Sequence, residues 1–198
     1  MGREQNSSAR IMDAAIRAVR EMGLENLTTR RIAQLAETSP GNMYTFFSGK
    51  EELLEQCFYK VDKEIAALFT RVALPSDMIR NDPIGGVRKL WYIYFDYLMK
   101  NPDKTIFYYR FRTSASFPEF QRRRDESYFV PFLRLAEQLG RRSLVSGRIN
   151  ADVLWIYVLN TTLMYAKYII EGVLPDTPAT AESIFALLLG GLRQFLPE

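Results

Sequence analysis

Residues 28–53 have the sequence TTRRIAQLAETSPGNMYTFFSGKEEL, which predicts a helix, a tight turn and a second helix. Ile32, Ala33 and Ala36 give the first helix an apolar face, and the small alanines allow a neighbouring helix to approach closely. The turn is predicted at residues 37–38, and it is followed by a serine and a proline at residues 39–40. Because serine is a favoured capping residue and proline fits the first helical position, the second helix should begin here.

The second helix of this segment has two different faces. We expect Met43, Phe46 and Phe47 on the buried face, and Gly41, Asn42 and Thr45 on the exposed face. Short, uncharged groups at a helix N-terminus suit insertion into the major groove of DNA, where the Asn42 amide can pair with an adenine edge. Tyr44 lies between the two faces, from where its hydroxyl can reach a phosphate. The segment therefore predicts a helix-turn-helix that binds DNA.

Helical periodicity continues along the chain of 198 residues, without convincing strand alternation. Four helix starts are marked by a capping residue followed by proline, at Ser39, Asp82, Asn101 and Thr177. Ser48 and Glu51 have the spacing of a capping box, in which Glu51 reaches back to the Ser48 backbone. About nine helices are predicted, over residues 7–23, 28–36, 40–46, 49–73, 83–100, 102–114, 119–140, 150–172 and 178–196. The predicted fold class is all-α, with a three-helix DNA-binding domain at 1–50 and a larger helical domain at 51–198.

The segment at 28–53 resembles the DNA-binding domain of the TetR family of bacterial regulators. It matches the family pattern in type and spacing at Thr29, Ile32, Ala33, Ala36, Ser39, Gly41, Tyr44, Phe47, Lys50, Glu51 and Leu53. Three positions depart from the pattern: Glu37 replaces a turn glycine, Thr38 replaces an apolar β-branched residue, and Phe46 replaces an aromatic position often filled by histidine. These departures concern the turn geometry and the base preference rather than the fold.

The resemblance implies a role in DNA binding for individual residues. It implies phosphate contacts for Thr28, Thr29, Tyr44 and Lys50, base contacts for Pro40, Gly41, Asn42 and Thr45, and a place for Ser39 in the same interface. Phosphate contacts make affinity depend on salt, whereas base contacts set the sequence preference. Simpler roles stay open: Thr28 as a helix cap only, Tyr44 as a packing residue, and Lys50 as a solvated charge.

The resemblance also implies that the larger domain binds a small effector and forms a dimer. Aromatic residues are dense in this part of the sequence, and most of them are expected to belong to the core. Some are expected to line an apolar pocket that carries a few polar groups. The candidates for this pocket are Trp91, Phe95, Tyr108, Phe111, Phe129, Phe132, Trp155 and Asn160.

One stripe of the last predicted helix is a candidate dimer surface. Its members recur at helical spacing, and they are Ala181, Ile184, Phe185, Leu188, Gly191, Leu192 and Phe195. Two chains that pair their last two helices would bury this stripe in a four-helix bundle. The alternative is that the stripe only packs against other helices of its own chain.

Composition argues against several classes of protein. The chain has no histidine and one cysteine, which excludes a Ser-His, Cys-His or zinc site and makes a metal or other cofactor unexpected. The polar N-terminus and the short apolar stretch at 153–166 predict neither a signal peptide nor a membrane span, so we expect a cytoplasmic protein. The net charge of +3 permits an anionic partner but does not identify one.

The sequence therefore predicts a transcriptional regulator without enzymatic activity. We expect a repressor that binds a palindromic operator as a homodimer and is released by a small apolar or aromatic effector. Two alternatives remain open at this stage. One is a helical ligand-binding or adaptor protein that does not bind DNA, and the other is an enzyme that uses carboxylate chemistry.

Overall fold

The computed structural model describes residues 2–71, 82–119 and 151–193, and no strand occurs among them. Their helices are α1 (Gly2–Met22), α2 (Thr29–Leu35), α3 (Pro40–Tyr44), α4 (Lys50–Arg71), α5 (Pro83–Lys100), α6 (Pro102–Arg112), α7 (Ala151–Ile170) and α8 (Pro178–Leu192). The predicted all-α fold class is confirmed. The helix predicted at 119–140 lies, from residue 120 onward, outside the described residues.

Most helix starts follow the local capping signals. The side chains of Thr28, Ser39 and Thr177 each accept a hydrogen bond from a backbone N–H in the first turn of the helix that follows. Asp82 does the same for the Gly85 N–H, at 2.8 Å. Asn101 precedes α6 without such a bond, and its ψ of 61° departs from the extended backbone of Thr28, Ser39 and Thr177.

The chain divides into two compact units. The N-terminal unit consists of Met1–Lys63 with Asn101–Arg124, and the C-terminal unit consists of Glu64–Lys100 with Asp125–Glu198. The boundary falls inside α4, which is one continuous helix. The domain boundary predicted at residue 50 separates functions rather than compact units, and it stays a prediction.

In the N-terminal unit, α1 packs against α2 and α6, and α2 packs against α3. Ile11, Ala15 and Val19 on α1 are buried, as are Ile32 on α2 and Met43 on α3. These are the apolar positions that helical periodicity selected. Their burial holds α2 against α1 and α3 against α2.

The end of α1 is joined to α6 by charged side chains. The Arg110 guanidinium donates to the carbonyl oxygens of Val19 and Arg20, which lie in the last turn of α1. A cation is favourable there because the last carbonyls of a helix carry partial negative charge. Arg20 in turn forms an ion pair with Asp103 at 2.7 Å. Both ends of α6 therefore hold α1.

Aromatic packing joins α4 to α6 in the same unit. Phe58 stacks on Tyr108 with ring centroids 4.8 Å apart, and its centroid lies 5.0 Å from that of Phe111. The Tyr108 hydroxyl donates to the buried carboxylate of Asp62 at 2.6 Å. A buried acid needs such a donor, since an unpaired charge in the core is costly.

The C-terminal unit has a core between α5, α7 and α8. The indole N–H of Trp91 on α5 donates to Thr162 Oγ1 on α7 at 2.9 Å, and this bond is buried. Phe185 on α8 lies against Trp91, with ring centroids 5.4 Å apart. At the surface, Arg88 pairs with Glu182 and so joins α5 to α8. None of the helices in the described ranges combines the length and apolarity needed to span a bilayer.

Candidate nucleic-acid interface

The turn between α2 and α3 is a helix-ending motif with an unusual residue. Glu37 adopts a φ of +50°, the left-handed conformation that usually belongs to glycine at this position. The Thr38 N–H bonds the Ala33 carbonyl at 2.9 Å, and the Glu37 N–H bonds the Gln34 carbonyl at 3.2 Å. These two bonds define a Schellman motif. The turn is therefore kept although Glu37 replaces the family's glycine, and Glu37 adopts a conformation that is disfavoured for a non-glycine residue.

A charged side chain from α1 supports this turn. Arg10 Nη2 donates to the carbonyl oxygen of Ala36 at 2.8 Å. Ala36 is the C-cap of α2, so its carbonyl has no partner within the helix. Arg10 therefore joins α1 to the turn in which α2 ends.

The start of α3 is exposed and capped. Ser39 accepts a hydrogen bond from the Asn42 N–H at 3.1 Å. Pro40 and Gly41 follow in the first turn, and both are exposed. The expectation that Ser39 begins this helix is confirmed. The helix is shorter than predicted, since it ends at Tyr44, and Phe46 beyond it is half-buried while Met43 and Phe47 are buried.

Two residues predicted to contact phosphates lie side by side. Tyr44 is 54% exposed, and its hydroxyl lies 3.4 Å from Thr29 Oγ1 on α2. Thr28, one residue earlier, accepts from the Arg31 N–H at 3.2 Å and is therefore a helix cap. Its hydroxyl hydrogen can still donate, because capping uses only the oxygen as an acceptor.

Asn42 and Thr45 on α3 are both engaged by hydrogen bonds. Asn42 is half-buried, and its Nδ2 donates to Thr38 Oγ1 at 2.7 Å. Thr45 is exposed, and its hydroxyl donates to the Asn42 carbonyl oxygen at 2.7 Å. Each side chain keeps further hydrogen-bonding capacity, which for Thr45 is its oxygen.

Lys50 is the first residue of α4 and is half-buried. The capping interaction beside it differs from the prediction, because the Ser48 N–H donates to Glu52 at 2.7 Å rather than to Glu51. The helix begins at Lys50, so Glu52 is its third residue, and its carboxylate reaches one residue beyond the N-cap position at Gly49. Hydrogen bonds from the Ser48 side chain and backbone hold the pKa of the Glu52 carboxyl below its usual value.

Two basic residues of this surface were missed by the sequence analysis. Arg30 and Arg31 follow Thr29 directly and are exposed on α2. Arg31 Nη1 also donates to Gln34 Oε1 at 2.8 Å. Their place in the first turn of α2, next to a predicted phosphate contact, was the available signal. They add positive charge beside the pair of hydroxyls.

The described residues that are predicted to bind an effector belong to two different compact units, and their role stays a prediction. Trp91 and Phe95 are buried in the C-terminal unit, where Asn160 is half-buried. Tyr108 and Phe111 belong to the N-terminal unit, in the aromatic packing against Phe58. Phe129, Phe132 and the side chain of Trp155 lie outside the described residues. The N-terminal unit also has an open cleft of about 460 Å³, lined by residues 21–25 together with Arg110, Thr113 and Ser114.

The stripe predicted as a dimer surface is largely buried within its own chain. The buried members are Ala181, Ile184, Phe185, Leu188 and Leu192, and the exposed member is Gly191. Phe195 lies outside the described residues. Five members of this stripe therefore pack within their own chain, as the intrachain alternative describes, and pairing of two copies through α8 stays a prediction.

Apolar residues are exposed on α7 and α8. Leu187 on α8 is 64% exposed, and on α7 Val153 and Ile156 are 57% and 53% exposed. Tyr157 connects the two helices, because its hydroxyl lies so near Gly191 that a Cβ there would come within 2.6 Å of it. We call Val153, Ile156, Tyr157, Leu187 and Gly191 the α7/α8 apolar face.

Comparison with known proteins identifies the N-terminal segment. Residues 11–57 match the sequence model of the bacterial regulatory proteins of the tetR family. The chain is 36% identical over 55 residues to YhgD of Bacillus subtilis (strain 168), an uncharacterised HTH-type transcriptional regulator, and this match covers 28% of the chain and 29% of that protein. It is 23% identical to an uncharacterised HTH-type transcriptional regulator of Haemophilus influenzae, over 79% of the chain and 80% of that protein.

Solved structures show the same fold over nearly the whole chain. A TetR family transcription regulator from Marinobacter aquaeolei VT8 superposes with a TM-score of 0.77 at 22% identity. The superposition covers 97% of this chain and 98% of that one. The helix-turn-helix at α2 and α3 thus lies inside the matched segment, on a helical framework of the same kind. Residues 11–57 are therefore similar to the bacterial regulatory proteins of the tetR family, and the chain as a whole shares the fold of these solved structures.

Proposed function

We propose that this protein is a repressor that binds a pseudo-palindromic operator as a homodimer and leaves it when a small apolar or aromatic effector binds. The observation that carries the proposal is the surface formed by the exposed start of α3, the exposed Tyr44 and the half-buried Thr29. A surface of this kind can enter a major groove with its helix N-terminus and contact phosphates from its rim.

Hydroxyl and positively charged side chains around α3 support the proposed phosphate contacts. The hydroxyls of Thr29 and Tyr44, 3.4 Å apart, can both donate to oxygens of one phosphate. Lys50 supplies a positive charge at the start of α4. Arg30 and Arg31 supply two more at the start of α2. Together these groups favour binding to a polyanion and predict an affinity that falls as salt rises.

Pairing of two copies is supported by the α7/α8 apolar face. Large apolar side chains that are exposed together commonly mark a protein contact. Val153 and Tyr157 are four residues apart on α7, so they share one side of that helix. A symmetric dimer uses the same patch on both copies, and two reading heads would then meet half-sites about 34–36 Å apart, or a multiple of it.

Release by an effector is supported by α4. This helix begins at Lys50, beside the proposed phosphate contacts, and continues into the C-terminal unit. An apolar ligand held near Trp91, Phe95 and Asn160 can change operator affinity only through its different affinities for two states of the dimer. A coupling of about 1–3 kcal/mol corresponds to a change of roughly 5- to 150-fold. As a DNA-bound regulator, the protein would act in the cytoplasm.

The test is electrophoretic retardation of a duplex from upstream of the protein's own gene. We expect a retarded complex from which unrelated DNA displaces the duplex only poorly. Lys50→Ala should weaken this complex. The matched control is Lys100→Ala, since Lys100 is exposed at the end of α5 in the other unit. Equal competition by unrelated DNA would argue against a specific regulator.

The effector is tested through linkage. A compound that raises the melting temperature of the protein is titrated with and without the retarded duplex. Operator DNA must weaken binding of the compound by the same factor by which the compound weakens binding of the operator. Identical affinities in the two titrations would show that the compound's site is not coupled to DNA.

A further inference from the structure

Thr38 is placed to control the side chain that the proposed function assigns to base reading. Its backbone is fixed by the Schellman motif, through the bond from its N–H to the Ala33 carbonyl at 2.9 Å. Its side-chain oxygen accepts from Asn42 Nδ2 at 2.7 Å, across the turn between α2 and α3. Both side chains are half-buried. The turn therefore holds Thr38, and Thr38 holds the amide of Asn42.

This contact leaves the Asn42 amide with a defined set of free groups. A primary amide has two N–H donors and one carbonyl oxygen. Thr38 occupies one donor, so one donor and one acceptor remain. The major-groove edge of adenine offers an acceptor at N7 and a donor at N6, which is the complementary pair. An amide free to rotate could instead present both donors, which suit the two acceptors of guanine.

We propose that Thr38 is a positioning residue that sets base specificity, because its hydroxyl orients the Asn42 amide to read adenine at one position of each half-site. This inference rests on the proposed function, since it requires that α3 enters the major groove. It also assigns a role to a departure from the family pattern, in which position 38 carries an apolar β-branched residue. Valine at this position would keep the shape of threonine and lose the hydroxyl.

The test uses the full-length protein and selection from a pool of random duplexes. Wild type, Thr38→Val, Thr38→Ser and Asn42→Ala are compared, and affinity for an unrelated duplex is measured for each. A correctly held bidentate contact discriminates between bases by roughly 5- to 150-fold. We expect Thr38→Val to lower the preference for adenine at one half-site position by about tenfold, with its affinity for the unrelated duplex unchanged.

The other variants separate this role from a merely structural one. Thr38→Ser keeps the hydroxyl and should retain the wild-type preference, whereas Asn42→Ala should lose preference at the same position as Thr38→Val. The proposal is overturned if Thr38→Val keeps the adenine preference, or if it weakens specific and unrelated duplexes equally. If Thr38→Val does not fold, Asn42→Ala still tests the proposal. An unchanged adenine preference in Asn42→Ala would overturn it. Wild type that selects no sequence would instead contradict the proposed function.

Discussion

The hydroxyl of Tyr44 on α3 lies 3.4 Å from Oγ1 of Thr29 at the start of α2. The two residues are 15 positions apart in the chain, and they come together because α2 and α3 pack around the turn at Glu37. Both side chains are within reach of solvent. The start of α2 and the end of α3 thus form one hydroxyl-bearing surface rather than two separate contacts.

If both hydroxyls bind one phosphate, their removal should be non-additive. We expect Tyr44→Phe and Thr29→Val each to weaken binding to every duplex about 3- to 10-fold, since a hydrogen bond contributes about 0.5–1.5 kcal/mol. The double variant should lose less than the sum, with a coupling of at least 0.5 kcal/mol. Fluorescence anisotropy on a specific and an unrelated duplex measures all four proteins. Additive losses would place the two hydroxyls on different groups.

Lys50 should contribute a sequence-independent, salt-dependent part of the affinity. Removing one phosphate contact lowers the slope of log affinity against log salt by about one. We expect this change for Lys50→Ala on specific and unrelated DNA alike. Lys100→Ala is the control for the loss of one positive charge. Lys100 lies on α5 in the other unit, where it pairs with Asp96. An unchanged slope for Lys50→Ala would remove Lys50 from the interface.

Glu37 should be a point of stored strain in the turn. A non-glycine residue in the left-handed region costs roughly 1–2 kcal/mol, whereas glycine costs about 0.5–1 kcal/mol through the entropy of the unfolded chain. We therefore expect Glu37→Gly to raise the free energy of unfolding by about 0.5–1 kcal/mol in urea denaturation. Glu37→Ala keeps the strain and is the control for loss of charge. Equal stability of the two variants would mean that the turn is not strained.

Leu187 should be needed for pairing of two copies. It is 64% exposed, and in a symmetric interface its loss counts twice. Burying a leucine contributes about 1.5–3 kcal/mol, so Leu187→Lys should raise the dimer dissociation constant by about 100-fold or more. Val173→Lys is the control, because Val173 is similarly exposed, at 66%, in the turn after α7. Sedimentation velocity distinguishes the outcomes, and a dimeric Leu187→Lys would place the interface elsewhere.

Local signals predicted the helices well because they act over a few residues. Ser39 and Thr177 cap the helices that the sequence assigned to them, each with a proline in the first turn. Glu51 was assigned the wrong role, because the carboxylate that reaches the Ser48 N–H is that of Glu52, on a helix that begins at Lys50. The conformation of Glu37 was visible only as a departure from a pattern, whereas its φ of +50° required coordinates.

Properties that depend on tertiary contacts were less predictable. The apolar spacing of Ile184, Phe185 and Leu188 shows that one side of α8 is buried, but periodicity does not distinguish burial in the same chain from burial against a copy. Trp91 and Tyr108 were both candidates because they are aromatic, and they belong to different units. The bond between Thr38 and Asn42 crosses a turn whose geometry the sequence did not fix.

The most direct test of the account is the sequence that the full-length wild-type protein selects from a pool of random duplexes. Two copies of α3 related by a two-fold axis should select an inverted repeat, with half-site centres about one helical turn or a multiple of it apart. The account predicts this symmetric motif. A pool with no enriched sequence, or a motif with a single unrepeated half-site, would contradict it.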